Sequence, residues 1–198
     1  MIQNDALPII DIVKIAQFEI TQSNESKDDK KEINEFVTSH LLQTFGKHKE
    51  KAQVEELQLR DSNSKFYCKM LFVLENGIQF KLGGRIDGST KDSDELVEIK
   101  NRKTHLFIPP PQYDIIQLHC YMWLHDRKCA TLMQYAPKNY SHKTIVPWDA
   151  DLWNTIVADL KKFAKLCCNV IQNPVQQQIL LTCLNPVQKQ KWYETNMK

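Results

Sequence analysis

The chain has 198 residues, of which 42% are hydrophobic and 25% are charged, as is ordinary for a soluble globular protein. It contains no apolar run long enough for a membrane span and no basic start followed by a long apolar stretch, so we expect an intracellular protein, in the cytoplasm or nucleus, neither secreted nor bound to a membrane. The net charge of +2 neither requires nor excludes a nucleic-acid partner, because binding needs only a local positive groove.

The first third of the chain predicts helices. The polar stretch 22–32 is interpreted as a surface loop that runs into a helix start, with Ser26, Asp28 and Asp29 as candidate N-caps. Apolar residues spaced three and four apart then predict an amphipathic helix over 33–44. Gly46 is expected to interrupt or bend it, before a second helical stretch over 47–57.

The middle of the chain has the alternating pattern of strands. Asn76-Gly77 is a strong turn signal between two alternating runs, which predicts a β-hairpin with one buried and one polar face. The buried face is expected to include five residues of the first strand: Phe66, Cys68, Met70, Phe72 and Leu74. Asp87 is expected to end the second strand, and residues 95–103 form a third strand.

The last part of the chain alternates again between helix and strand. After three prolines at 109–111, helical spacing over 113–124 precedes a strand at 130–135 and a possible second strand at 144–146. A helix is predicted over 152–171, while the tail after Pro174 is ambiguous. The order predicts one α/β domain over 1–198, with helices flanking a single central mixed sheet.

The residue types that carry chemistry meet on two of the predicted strands. Glu98 and Lys100 lie two residues apart and therefore share one face of the third strand, and Asp87 reaches the same face if the two strands pair. Converging carboxylates favour a divalent cation, which can polarise a phosphodiester and activate water. Lys100 can orient that water or stabilise developing negative charge. An ordinary solvated strand face would also present such charges.

Four motifs in sequence order resemble those of the PD-(D/E)xK nuclease superfamily, in particular its RecB-like and lambda-exonuclease-like (viral recombinase) group. Gly46 to Glu50 looks like a G-x-x-x-E motif, and Gly84 to Gly88 looks like the motif of the metal-binding aspartate. Glu98 to Lys100 is the E-x-K signature, and Gln117 to Tyr121 looks like a Q-h-x-x-Y motif. The resemblance covers about residues 33–135 and implies a restriction-endonuclease-like core (αβββαβ) followed by a C-terminal helical part at 149–198.

The resemblance implies a role for each matching position. Asp87, Glu98 and the Ile99 carbonyl would bind a metal ion, and Glu50 would bind a second ion or one of its waters. Glu55 or Glu56 could replace Glu50 if the helix register differs. Lys100 would position the nucleophilic water.

The helix motif is implied to flank that centre. Gln117 would contact the scissile strand or support the lysine, and Tyr121 would stabilise the same helix face near the nucleic acid. A buried structural pair would show the same spacing, because residues four apart share one helix face.

The resemblance further implies a Mg²⁺- or Mn²⁺-dependent DNA nuclease with one or two ions. It favours an exonuclease acting on DNA ends in recombination, repair or viral replication. A structure-selective endonuclease, an enzyme acting on RNA, and an inactive nucleic-acid-binding module remain alternatives, as do a homo-oligomer and a larger assembly. No iron–sulfur cluster is expected, because the first of the six cysteines is Cys68 and none precedes the core.

Basic residues near these motifs are candidate nucleic-acid contacts. Arg102, Lys103 and His105 follow the third strand, Arg85 precedes Asp87, and Lys47 lies beside Glu50. A charged strand end or a soluble helix surface would explain the same residues.

Overall fold

The computed structural model describes residues 9–61, 66–91, 93, 95–137, 140–183 and 185–196. The helices are α1 (Ile9–Gln22), α2 (Lys27–Glu56), α3 (Gln112–His125), α4 (Ala150–Gln172), α5 (Pro174–Thr182) and α6 (Pro186–Asn196). The strands are β1 (Arg60–Asp61), β2 (Tyr67–Val73), β3 (Gln79–Gly84), β4 (Gly88–Ser89), β5 (Leu96–Asn101), β6 (Cys129–Ala136) and β7 (Tyr140–Pro147). None of the helices within these ranges has the length and apolar character that a membrane span requires.

The main sheet is mixed and has the strand order β1-β4-β5-β6-β7. Its β5 and β6 pair in parallel, and its other neighbours pair antiparallel. The α/β class with a mixed sheet is therefore confirmed. The expectation of a single sheet is wrong, because the β2-β3 hairpin forms a two-stranded sheet of its own. The second strand also ends earlier than predicted, at Gly84, so that Asp87 lies in the bend just before β4.

The helix α2 runs unbroken through Gly46, so the predicted interruption is wrong. Of the three candidate caps, Ser26 begins the helix, and its hydroxyl accepts a hydrogen bond from the Asp29 amide at 3.2 Å. A single glycine costs a helix only about 1 kcal/mol relative to alanine. Packing of the last turns of α2 on β5 offsets that cost through a core cluster of Val54, Val97 and Ile99.

The hairpin turns at Asn76-Gly77 as predicted, and Gly77 has the positive φ of 81° that such a turn requires. The predicted buried face of its first strand is wrong for Cys68 and for Phe66 and Met70, which are 60% and 54% exposed, whereas Phe72 and Leu74 are half-buried. A β-bulge between Met70 and Phe72 breaks the alternation of β2. In addition, α3 lies against the opposite face, where Lys69 donates to the Trp123 carbonyl at 3.4 Å.

Alternation along β5 separates two packing layers. Val97 and Ile99 face α2, whereas Leu96 joins Leu118 and Met122 of α3 in the larger core cluster. Glu98 and Lys100 lie on the α3 side by the same period of two. The strand that bears the predicted site is thus held between two helices that contribute site residues of their own.

The C-terminal part after residue 149 contains α4, α5 and α6, so α4 extends the predicted helix at both ends and the ambiguous tail contributes two further helices. Helix α4 begins at Asp149, whose carboxylate accepts from the Asp151 and Leu152 amides. It packs beside α3 through Trp153, which stacks on Trp123 with ring centroids 5.4 Å apart.

Replacing Gly46 by alanine should raise the free energy of unfolding by about 0.5–1 kcal/mol, because alanine loses less backbone entropy in a helix. A Cβ at this position would meet nothing within 4 Å. Chemical denaturation would measure the change. Gly77→Ala is the matched control and should destabilise the protein, because its φ is positive. A Gly46→Ala protein less stable than wild type would contradict a continuous helix.

Candidate active site

One face of α2 is fixed against β5 and carries Glu50 towards the site. Glu50, Gln53, Val54 and Leu57 follow the spacing of a single helix face. Val54 is buried in the core, and the side-chain amides of Gln53 and Asn101 exchange two hydrogen bonds of 2.9 Å. These contacts set the register of the helix against the strand, so that Glu50 lies one turn before the anchored residues.

Glu55 and Glu56 lie on the exposed side of α2. Glu50 is half-buried and lies within hydrogen-bonding reach of the Asp87 carboxyl. The alternative between these three glutamates is therefore decided by the helix register, and the carboxylate that joins the site is Glu50.

Asp87 is positioned by the short pairing of β4 with β5. Gly88 pairs with Val97, and the preceding residue therefore turns its carboxylate onto the next part of β5, where Oδ2 accepts from the Ile99 amide at 2.7 Å. The N–H and C=O of one strand residue point to the same edge, so the Ile99 carbonyl also faces the edge at which Asp87 lies. The predicted ligand role of that carbonyl stays a prediction.

Burial brings negative charge together at this point. Asp87 is 9% exposed and Glu98 is 4% exposed. Burial, followed by the negative charge of Glu98, raises the pKa of Asp87 to about 8, and Glu50 adds to the rise while the Ile99 amide opposes it. Burial also raises the pKa of Glu98, and the Lys100 ammonium opposes that rise. Ionising all three carboxyls therefore calls for added positive charge.

The hydrogen bonds of Glu98 leave one oxygen for that purpose. Its Oε1 accepts from Lys100 Nζ at 2.7 Å. Its Oε2 is buried and receives no hydrogen bond from any residue that the structure describes. Three convergent carboxylates with a buried oxygen of this kind suit a hard divalent cation such as Mg²⁺ or Mn²⁺, which prefers oxygen ligands. Asp87, Glu98 and Glu50 are the residues that would hold such an ion, although as they stand the described residues contain no group of three or more His, Cys, Asp or Glu side chains arranged to hold one.

Lys100 is joined to α3 through a chain of hydrogen bonds. Its Nζ donates to Gln117 Oε1 at 2.8 Å, and Gln117 Nε2 donates to Tyr121 Oη at 2.9 Å. Because an ammonium only donates, this contact fixes which end of the Gln117 amide faces the lysine. Burial raises the pKa of Tyr121 to about 12, so the phenol stays protonated.

The ring of Tyr121 lies close against Gly84 of the hairpin. A Cβ at Gly84 would come within 2.7 Å of Tyr121 Cε1, so the close approach requires glycine. Gln117 therefore supports the lysine, in line with one of its two predicted roles. Tyr121 holds Gln117 in place, and its predicted proximity to nucleic acid stays a prediction.

Arg102 is held in a structural network, and its predicted phosphate contact stays a prediction. Its guanidinium forms an ion pair with the buried Asp114, and its Nε donates to Gln134 Oε1 at 2.9 Å. Gln134 is fully buried and also donates to the Phe107 carbonyl at 2.9 Å. This network ties the segment after β5 to β6 and α3.

The other predicted contacts are Lys47, Arg85, Lys103 and His105, and all are exposed. His105 shares a hydrogen bond of 2.9 Å with Thr104 Oγ1. Sequence reasoning did not find Gln53, Asn101, Asp114 or Gln134. Each acts through a partner far away along the chain, and no local pattern marks such a pair.

Comparison with known proteins finds a solved structure with a similar fold. No protein-family model matches the chain, and no curated protein matches it. A solved structure described as the crystal structure of SSO0001 is similar, with a TM-score of 0.50 and 16% sequence identity. The match covers 81% of this chain and 87% of that one. At this identity the likeness bears on the fold alone.

Without divalent ions, the free energy of unfolding should fall as pH rises from about 4 to about 8. Asp87 has a folded pKa of about 8 against an ordinary value of 3.8, so the folded state binds more protons than the unfolded state between them. The stabilisation is thus fully present below about 4 and lost as pH rises through about 8. Denaturation of the protein in EDTA at several pH values measures this.

The variant Asp87→Asn tests the assignment of that pH dependence. Its amide stays neutral, so its free energy of unfolding should fall less steeply across the same interval, with the largest gain over wild type at the alkaline end. Parallel curves for the wild type and the variant would contradict a raised pKa at Asp87.

Proposed function

We propose that the protein is a divalent-metal-dependent nuclease of the PD-(D/E)xK type, with a restriction-endonuclease-like core, that hydrolyses phosphodiester bonds in DNA. The observation that carries the proposal is the meeting of three carboxylates from three separate elements. Glu50 comes from α2, Asp87 from the bend before β4, and Glu98 from β5. Structural ion pairs rarely gather several carboxylates beside a single lysine, because like charges repel.

A cation held by Asp87, Glu98 and Glu50 would relieve that repulsion, and when bound it would polarise the phosphodiester and lower the pKa of a water molecule. The protein's own contribution is to hold the carboxylates in place before the ion arrives. Asp87 is fixed by the Ile99 amide, and Glu98 is fixed by Lys100. Fixed ligands of this kind need little reorganisation on binding.

Lys100 supplies the positive charge on the protein side. Its ammonium has three N–H groups, and two of them donate to Glu98 and Gln117. Its side chain is 25% exposed, so the third can reach a water or a phosphate oxygen from the open side. A lysine so placed can orient the attacking water and stabilise the negative charge that develops on the phosphate.

The subclass that we propose is an end-dependent exonuclease, which rests on the resemblance of the four motifs. A nucleic-acid-binding module without turnover would not need a buried glutamate oxygen without a hydrogen-bond donor, nor a lysine held beside it. The structure-selective endonuclease shares the same chemistry and differs only in which DNA it accepts.

With Mg²⁺ or Mn²⁺, the purified protein should degrade linear duplex DNA, and EDTA should stop it. Asp87→Asn and Lys100→Ala should each lower the rate at least about 100-fold, because the first removes a carboxylate that would hold the cation and the second removes the ammonium that acts on the water or phosphate. Release of acid-soluble nucleotides measures the rate. A covalently closed circle should survive if the enzyme needs an end, and its cleavage would favour the endonuclease.

Three substitutions on α2 compare the site carboxylate with two matched controls. Glu50→Gln should lower the rate strongly, whereas Glu55→Gln and Glu56→Gln remove exposed carboxylates from the same helix and should leave it unchanged. Circular dichroism would check that all three variants are folded. Inactivity of the wild type on every form of DNA tested, or full activity of Asp87→Asn, would refute the proposed function.

A further inference from the structure

The β2-β3 hairpin leaves one of its two faces uncovered. Directly opposite residues in an antiparallel pair share a face, and Cys68 pairs with Gly83 while Met70 pairs with Lys81. These residues are exposed, whereas Lys69 and Leu82 on the other face are half-buried beside α3. We define the outer face of the hairpin by its exposed side chains: Phe66, Cys68, Met70, Val73, Gln79, Lys81 and Arg85.

An aromatic ring is held at one end of this outer face. Phe66 is 60% exposed, yet its ring lies over Gly83, where an added Cβ would come within 2.4 Å of Phe66 Cζ. Because Gly83 has no side chain, the ring can lie against the backbone of β3 while much of the ring remains exposed to solvent.

The charge of the outer face is positive. Lys81 and Arg85 are exposed, neither has an ion-pair partner among the described residues, and no carboxylate lies on this face within those residues. Continuing the register by one residue from Tyr67 and Gly84 places Phe66 opposite Arg85. The aromatic residue and the arginine are therefore expected on the same face of the hairpin, at the same end.

One end of the outer face lies next to the candidate active site along the chain. Arg85 lies two residues before Asp87, and the end of the hairpin that carries Phe66 and Arg85 is the end from which the chain enters that site. Unpaired bases stack on exposed aromatic rings, and lysine or arginine side chains without ion-pair partners contact the phosphates of the same strand. Duplex DNA hides the faces of its bases, so a ring such as Phe66 favours a single strand.

From these observations we propose that the outer face of the hairpin binds single-stranded DNA and guides the strand to the carboxylates of the candidate active site. Phe66 stacks on a base, and Lys81 and Arg85 contact the phosphates on either side. The inference rests on the proposed function for its purpose, but the binding itself requires neither metal nor cleavage.

The test measures binding of a short fluorescein-labelled oligo(dT) by fluorescence anisotropy in EDTA, where no hydrolysis occurs. Phe66→Ala should weaken binding about tenfold, and Phe66→Trp should retain it, since the larger ring also stacks. The double variant Lys81→Gln, Arg85→Gln should lower the slope of log Kd against log salt by about 1.4, because two phosphate contacts are lost.

Two surface variants far from the hairpin are the matched controls. Phe36→Ala removes an aromatic ring on α2 that is 70% exposed, and Lys143→Gln removes an exposed charge on β7. Both should bind oligo(dT) like wild type. Wild-type affinity for a duplex equal to that for oligo(dT), or unchanged binding by Phe66→Ala and the double variant, would overturn the proposal.

The outcomes separate this proposal from the proposed function. If the wild type cleaves no DNA but the hairpin variants lose oligo(dT) binding, the outer face is supported as a binding surface and the nuclease proposal is refuted. If those variants bind oligo(dT) normally and the wild type cleaves DNA in a metal-dependent way, the outer face is refuted as a binding surface and the nuclease proposal is supported. Sedimentation that shows a dimer dissociated by Phe66→Ala would assign the outer face to a second copy of the chain and also overturn it.

Discussion

The burial of negative charge beside β5 is the constraint on which the rest of the structure depends. Two carboxylates that are less than a tenth exposed lie beside a third, and desolvation opposes the ionisation of each buried one. The fold tolerates this because each buried carboxylate has a donor fixed by the backbone or by β5: the Ile99 amide for Asp87 and the Lys100 ammonium for Glu98. Such an arrangement costs stability in the absence of a cation, which is common at functional sites.

The surrounding elements hold this centre from two sides of β5. On one side of β5, the paired amides of Gln53 and Asn101 fix the register of α2 and with it Glu50. On the other side, Gln117 holds Lys100, and α3 is itself tied down by the ion pair between Asp114 and Arg102. These contacts join α2 and α3 to the strand that carries Glu98 and Lys100.

Much of the candidate site could be predicted from the sequence, because its centre follows from local periodicity. A spacing of two places Glu98 and Lys100 on one strand face, and a spacing of four places Gln117 and Tyr121 on one helix face. The predictions of the hairpin face and of the helix interruption failed because they depend on tertiary contacts. The bulge in β2 changes which residues of the strand face inward, so the predicted face fails before the bulge, and packing on β5 stabilises α2 through Gly46. Arg102 reads as a free surface cation in the sequence, and only the fold reveals Asp114 as its partner.

The most direct measurement of the central claim is the binding of Mn²⁺ by isothermal titration calorimetry, without any nucleic acid. The account predicts that the wild type binds Mn²⁺ near neutral pH with release of protons, since the pKa of Asp87 is raised to about 8 and a bound cation displaces its proton. Asp87→Asn should lose most of that affinity, and Glu55→Gln should keep it. Absence of Mn²⁺ binding by the wild type, or equal binding by Asp87→Asn, would contradict the assignment of these carboxylates to a metal centre.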